Sequence, residues 1–210
     1  VTSLGQREAW RGEFGDTYTA RNTRTEASLA SRSRLFARVL TAIDLGPRAS
    51  VLEVGTNLGM NLEALTRVAD VRPFGVDLNH GALASLRTTP GLGARARVVT
   101  AEGRQLPFAA SSMDLVFTCG VLIHVHPTDL LDTCHEMVRV TRRYLFCAEY
   151  FSPQPETIEY RGHPDLLFKR DFGSFFLDHW PRLRVVDYGF VWKRMEFDDL
   201  NWWLFERTEP

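Results

Sequence analysis

Apolar residues first recur at helical spacing, at Leu29, Leu35, Phe36, Val39, Leu40 and Ile43, and the stop Leu45-Gly46-Pro47 follows. The chain then changes character. Short β-rich runs over residues 51–54, 74–76, 97–99, 115–118 and 144–148 alternate with helical runs over 58–68, 80–86 and 128–140. Parallel neighbours cannot be joined by tight turns, so this alternation predicts an α/β fold with crossover helices on both faces of a mostly parallel sheet. Residues 151–176 read as a loop rich in aromatic and charged side chains. Two strand-like runs follow, 183–192 and 200–205, and the polar link 193–199 between them predicts an antiparallel hairpin at one sheet edge. Trp192, Trp202 and Trp203 are expected to pack on that sheet.

The first strand runs into a turn, Val51-Leu52-Glu53-Val54-Gly55-Thr56-Asn57-Leu58-Gly59-Met60-Asn61. Glycines at a strand-to-helix turn let backbone approach a ligand where a Cβ would clash. The dinucleotide fingerprint starting at Gly55 would need glycines at 57 and 60, where Asn57 and Met60 stand. Glu53 adds to this, because a carboxylate there repels a pyrophosphate and attracts an ammonium or sulfonium group. Asp77 closes the second strand 24 residues after Glu53, where an acid can accept both hydroxyls of an adenosine ribose. Glu102, just past the third strand, can accept from an adenine amino group. The fourth strand leads into Cys119-Gly120-Val121-Leu122-Ile123-His124, a loop that would pass beside the reacting group.

Four such elements in this order resemble the class I S-adenosylmethionine-dependent methyltransferases, over roughly residues 51–150. The resemblance implies a seven-stranded sheet ending in an antiparallel hairpin. It places Glu53, Gly55 and Gly59 around the methionine part of S-adenosyl-L-methionine, Asp77 at the ribose, and Glu102 with Gly103 at the adenine, with Asn57, Asn61, Leu78 and Cys119 as further cofactor-binding residues. Asn57 stands where many members have glycine, and Glu102 where most have aspartate. The flanks, 10–22 and 167–172, together with Gly120 to His124, narrow the resemblance to methylases associated with pseudaminic acid biosynthesis. This implies a small polar acceptor, sugar-like or otherwise acidic. Arg21, Arg161, Lys169 and Arg170 are candidates to hold its carboxylate or phosphate, with Tyr18, Asn22 and Tyr150 positioning it. His124 is the candidate base for a hydroxyl acceptor, whereas an amine needs only to lose its proton before attack.

Composition narrows the partners. Twenty-five basic and 26 acidic residues give a net charge of -1, without the field that draws proteins onto phosphate backbones, so no nucleic-acid partner is expected. Enzymes acting on bases or glutamine amides often carry an Asn/Asp-Pro-Pro-aromatic turn after the fourth strand, and Cys119-Gly120-Val121-Leu122 stands there instead. No metal is expected, since neither the histidines nor the cysteines fall at ligand spacing. Cys119, Cys134 and Cys147 read as reduced thiols of a cytoplasmic protein. The opening residues 1–11 are not expected to act as a secretion signal, nor any run to span a membrane. The expected organisation is one domain: an N-terminal helical cap over 1–46, a cofactor-binding core over 47–150, and a substrate loop with the hairpin over 151–210, as monomer or homodimer. Two rival readings stay open, a non-catalytic module that binds the cofactor and an NAD-dependent oxidoreductase.

Overall fold

The computed structural model describes residues 2–208. Five parallel strands form the centre of a sheet: β1 (Ala49–Val54), β2 (Val71–Asp77), β3 (Arg97–Thr100), β4 (Met113–Cys119) and β5 (Thr141–Glu149). Two more, β8 (Leu183–Val191) and β9 (Leu200–Arg207), extend it antiparallel, giving the order β3-β2-β1-β4-β5-β9-β8 with the hairpin at the edge. The sheet is therefore the one the alternation predicts.

Successive side chains of a strand point to opposite faces, and here both faces are apolar and covered. Val51, Phe117 and Phe146 pack under α3 (Glu26–Leu40), α4 (Met60–Val68) and α5 (His80–Arg87). Leu52, Val116 and Cys147 pack under α6 (Pro127–Val140) and α7 (Phe172–His179). The helices start where polar caps supply acceptors: Thr25 accepts from the Ser28 N–H, Asn79 from Ala82 and Asp171 from Ser174. Two further helices, α1 (Ser3–Arg11) and α2 (Glu13–Arg21), precede α3.

Two expectations need correction. Residues 151–176 are not a loop. They form an antiparallel hairpin of their own, β6 (Glu156–Tyr160) and β7 (His163–Lys169), and then enter α7. The turn between Tyr160 and His163 holds Arg161 at φ +53° and Gly162 at φ +80°. A two-residue hairpin turn of that kind is usually announced by Asn-Gly or Asp-Gly, and the arginine conceals it. In addition, Trp202 is buried in the sheet as expected, whereas Trp192 is half exposed at 50% because it lies past the end of edge strand β8. Cys134 and Cys147 are buried free thiols and Cys119 is partly exposed.

Candidate active site

All five parallel strands end at one edge, where open α/β sheets bind ligands, and a cavity of about 260 Å³ lies there. Glu53, at the end of β1, is 1% exposed. Its carboxylate accepts from Thr56 Oγ1 at 2.7 Å and from Asn61 Nδ2 at 2.8 Å. Burial still dominates and pushes its pKa up to about 8. Asn61 Oδ1 is buried and has no hydrogen-bond partner, so the Glu53–Asn61 pair presents acceptors in excess of donors to the cavity that Asn61 lines.

The turn after β1 is built on left-handed backbone at Gly55 (φ +76°), Asn57 (φ +46°) and Gly59 (φ +73°). Packing also requires the two glycines, and Gly55 lines the cavity. A Cβ on Gly55 would lie 2.6 Å from Val121 Cγ2, and one on Gly59 would lie 2.6 Å from Leu86 Cδ1. Asp77 closes β2 and ties this turn down, accepting from the Asn57 N–H at 2.7 Å and the Asn79 N–H at 2.8 Å. Burial raises its pKa against the pull of those N–H groups. Leu78 and Gly103 also line the cavity.

The N-terminal helices latch onto these same residues. Asn57 donates to Thr19 Oγ1 at 2.8 Å and accepts from Asn22 at 3.2 Å. Asn79 Nδ2 donates to Asp16 at 2.7 Å, and Gln6 Nε2 to the His124 carbonyl at 2.8 Å. Glu102 lines the cavity, yet its two oxygens are taken by Arg104 at 2.7 Å and Arg11 at 2.9 Å, which hold its pKa below the usual carboxylate range. Its expected partner, an adenine amino group, would have to share or displace those arginines.

On the far side of the cavity stands His124, at the end of a short 3-10 helix, Leu122–His124. Its Nδ1 lies 2.7 Å from the Leu166 carbonyl oxygen, so Nδ1 carries the proton and Nε2 is left as the acceptor. Burial lowers its pKa to about 4, with the Leu166 carbonyl pulling the other way. Its ring is enclosed by Trp10 at 4.7 Å and Tyr160 at 5.0 Å between centroids, with Tyr18 at 6.4 Å. Burial and then Tyr160 push the Tyr18 pKa up to about 12, and burial also raises those of Tyr150 and Cys119.

The loop carrying His124 rests on Glu149, the last residue of β5. This fully buried carboxylate accepts from the N–H groups of Val121 (3.2 Å), Leu122 (3.1 Å) and Ile123 (3.3 Å). Burial outweighs those bonds and brings its pKa up to about 7.

Of the residues expected to hold an acceptor, Tyr18, Asn22, His124 and Tyr150 line the cavity. The four cations do not. Arg21 is exposed and lies over the Tyr18 ring at 5.9 Å; Arg161 is exposed in the hairpin turn; Lys169 lies over Tyr150 at 5.7 Å and Arg170 over Phe175 at 4.7 Å. Each lies over an aromatic ring and none lines the cavity. The residues sequence reading missed are Trp10, Arg32, Glu149, Tyr160 and Asp198. A carboxylate closing a strand, as Glu53 does, was the available signal for Glu149. Among the described residues no group of three or more histidine, cysteine or acidic side chains could hold a metal ion, and no helix is long and apolar enough to cross a membrane.

Comparison with known proteins agrees with this geometry. Residues 51–143 match a family described as "Methyltransferase domain". No curated protein matches the chain. Among solved structures, the chain is similar to the 1,6-didemethyltoxoflavin-N1-methyltransferase of Burkholderia thailandensis, with 1,6-didemethyltoxoflavin and S-adenosylhomocysteine bound (TM-score 0.77, 17% identity, 100% of this chain and 92% of that one). It is similar as well to the magnesium protoporphyrin IX methyltransferase of Synechocystis with bound S-adenosylhomocysteine (TM-score 0.69, 12% identity, 99% and 100%). A third is the phosphoethanolamine N-methyltransferase 1 of Haemonchus contortus, of which the chain covers 50% (TM-score 0.72, 15% identity, 100% of this chain). The chain therefore has the fold of the class I, S-adenosylmethionine-dependent methyltransferases, and residues 51–143 match a methyltransferase domain.

Proposed function

We propose that the protein transfers the methyl group of S-adenosylmethionine to an oxygen or nitrogen of a small polar metabolite, of the sugar-like or acidic kind that the flanking segments imply. The observation that carries the reading is the Glu53–Asn61 pair: a buried carboxylate with one donor on each oxygen beside a buried amide oxygen that has none. The ammonium of a methionine group supplies the missing donor and a positive charge for the carboxylate. Asp77 would hold the ribose hydroxyls with the oxygen capacity left after its two backbone bonds, and Leu78, Gly103 and the Glu102 cluster would flank the adenine.

The cofactor supplies a methyl carbon already activated by positive sulfur. What remains for the chain is alignment and exclusion of water. Glu53 and Asp77 fix one end of the cleft, and Val121, seated against Gly55, fixes the loop beside the methyl position. The helices latched to Asn57 and Asn79 cover the cleft, and Trp10, Tyr18, Tyr150 and Tyr160 wall the acceptor end. The three segments, 1–46, 47–150 and 151–210, each contribute to this one cleft, which supports their acting as one unit. An acidic acceptor finds Arg32 in the cavity lining, with its Nε buried without a partner.

The test is transfer of labelled methyl groups from S-adenosylmethionine to paired panels of small hydroxyl, amine and carboxylate compounds, with duplex DNA and structured RNA as controls. Label in dialysable product supports the reading. Label confined to nucleic acid, or to no acceptor in protein that binds the cofactor, counts against it.

A further inference from the structure

The arginines that line the cavity are Arg7, Arg32 and Arg104. Arg7 is paired with Asp129 and Arg104 with Glu102. Arg32, on α3, differs from both, because among the described residues no carboxylate lies within ion-pair distance of it. Its Nη1 turns back to Ser28, one turn earlier on the same helix, donating to the carbonyl at 3.3 Å and to the hydroxyl. The guanidinium lies over the Phe197 ring, 4.7 Å from its centroid, and a ring on that face leaves the in-plane donors open. The remaining edge, Nε with Nη2, makes no hydrogen bond, and Nε is buried.

A cation withdrawn from water needs an anion or a full set of acceptors, and only one nitrogen of this fork is served. The free Nε–Nη2 edge is a pair of parallel donors, the arrangement that takes both oxygens of a carboxylate. The same cavity shows the opposite deficit at Asn61, whose buried Oδ1 has no donor while its Nδ2 is held by Glu53. Burial raises the pKa of Glu53 and of Cys119, and in each the charge of Arg32 pulls the other way, so that charge is felt at the ends of β1 and β4. A ligand that carries both a carboxylate and an ammonium answers the unserved donors and the unserved acceptor together.

We propose that Arg32 is the carboxylate site of the cleft, its Nε–Nη2 edge holding a carboxylate on two parallel hydrogen bonds. The inference rests on the methyl-transfer reading above and deepens it. Two carboxylates fit that description, the one on the cofactor's methionine group and the one on an acidic acceptor. The neighbourhood favours the first. An α-amino acid carries its carboxylate and its ammonium on one carbon, and the ammonium site proposed above is Glu53 with Asn61, where the charge of Arg32 is felt. Arg32 then sets the choice of cofactor, because an adenosyl ligand without the carboxylate leaves the fork unserved.

Calorimetric titration of the protein compares S-adenosylhomocysteine with its decarboxylated analogue, which keeps the ammonium. Wild type is expected to prefer S-adenosylhomocysteine by at least tenfold, the weight of one hydrogen bond between charged groups or more. Arg32→Met is expected to bind the two within twofold of each other, with its affinity for the decarboxylated analogue within threefold of wild type. A merely structural role would weaken both ligands alike. Arg32→Lys, which keeps the charge and loses the fork, should retain an intermediate preference. A second arm uses protein saturated with S-adenosylhomocysteine and ligand-observed NMR titration with acetate and acetamide. Saturable acetate binding that Arg32→Met removes, in a wild type that does not distinguish the first pair, assigns the site to the acceptor's carboxylate. A wild type that shows neither preference overturns the proposal whether or not a variant folds, and so does a preference that survives both Arg32→Met and Arg32→Lys. Failure of wild type to bind either adenosyl ligand overturns the methyl-transfer reading itself, and the first titration separates that case.

Discussion

Replacing Asp77 with alanine is expected to weaken binding of S-adenosylhomocysteine by at least a hundredfold. Two effects combine. The variant loses the acceptors for two ribose hydroxyls, and hydrogen bonds to a charged group contribute about 1.5–3 kcal/mol each. It also frees the Asn57 N–H, now held at 2.7 Å, and with it the turn that Gly55 and Gly59 shape. At about 1.4 kcal/mol per tenfold, loss of the two ribose bonds alone accounts for roughly a hundredfold. Asp77→Asn keeps one acceptor oxygen and should fall between wild type and alanine. Isothermal calorimetry measures all three, and an alanine variant that binds within threefold of wild type would remove Asp77 from the site.

The second large effect concerns Glu149. Glu149→Ala leaves three N–H groups of the 121–123 backbone buried without acceptors and opens a cavity beneath the loop that carries His124. Unsatisfied buried groups cost about 1–3 kcal/mol each, so a loss of roughly 3–5 kcal/mol after partial relaxation is expected, a large part of a typical stability of about 5–15 kcal/mol. Denaturant unfolding would show it as a lower midpoint. pH gives a separate signature. In the unfolded chain a glutamate titrates near 4.3, approximately, whereas folded Glu149 does so at about 7 and Glu53 at about 8. Between those limits the folded chain keeps protons that the unfolded chain has lost. Stability from these groups is therefore complete below about pH 4, falls steadily above it, and is fully lost once pH has risen through about 7 for Glu149 and 8 for Glu53. Glu149→Gln, which keeps the volume and cannot ionise, should lose its share of the slope, which ends near pH 7, and retain the share of Glu53, which runs on to about 8. A melting temperature of the unliganded wild type that rises steadily from pH 5 to 8 would contradict the assignment.

The sheet was readable because each strand is an apolar run bounded by a turn, and both faces are covered by helices with matching stripes. Glu53 and Asp77 were readable for a related reason: a carboxylate at the end of an apolar run is out of place unless a site needs it. The β6–β7 hairpin was hidden because β6 is mostly exposed and reads as loop, and because Arg161-Gly162 is an unusual turn pair. The aromatic walls of the acceptor end were hidden more deeply. Trp10, Tyr18, Tyr150 and Tyr160 lie far apart in sequence and meet only after α1, α2 and the hairpin close over the strand ends. The four cations do not line the cavity: Arg21, Arg161 and Lys169 rest on the rings of Tyr18, Tyr160 and Tyr150 that do, and Arg170 rests on Phe175. Glu102 shows the converse, a residue at the expected place whose carboxylate is already engaged by arginines.

The most direct measurement is calorimetric titration of the wild-type protein with S-adenosylhomocysteine and, separately, with NAD. Saturable one-to-one binding of S-adenosylhomocysteine is predicted. It should release a proton near pH 7, as Glu53 ionises against the ammonium, so the enthalpy should vary with buffer, and NAD should give no heat. Binding of NAD in preference, or no heat with S-adenosylhomocysteine at any concentration, would contradict the account.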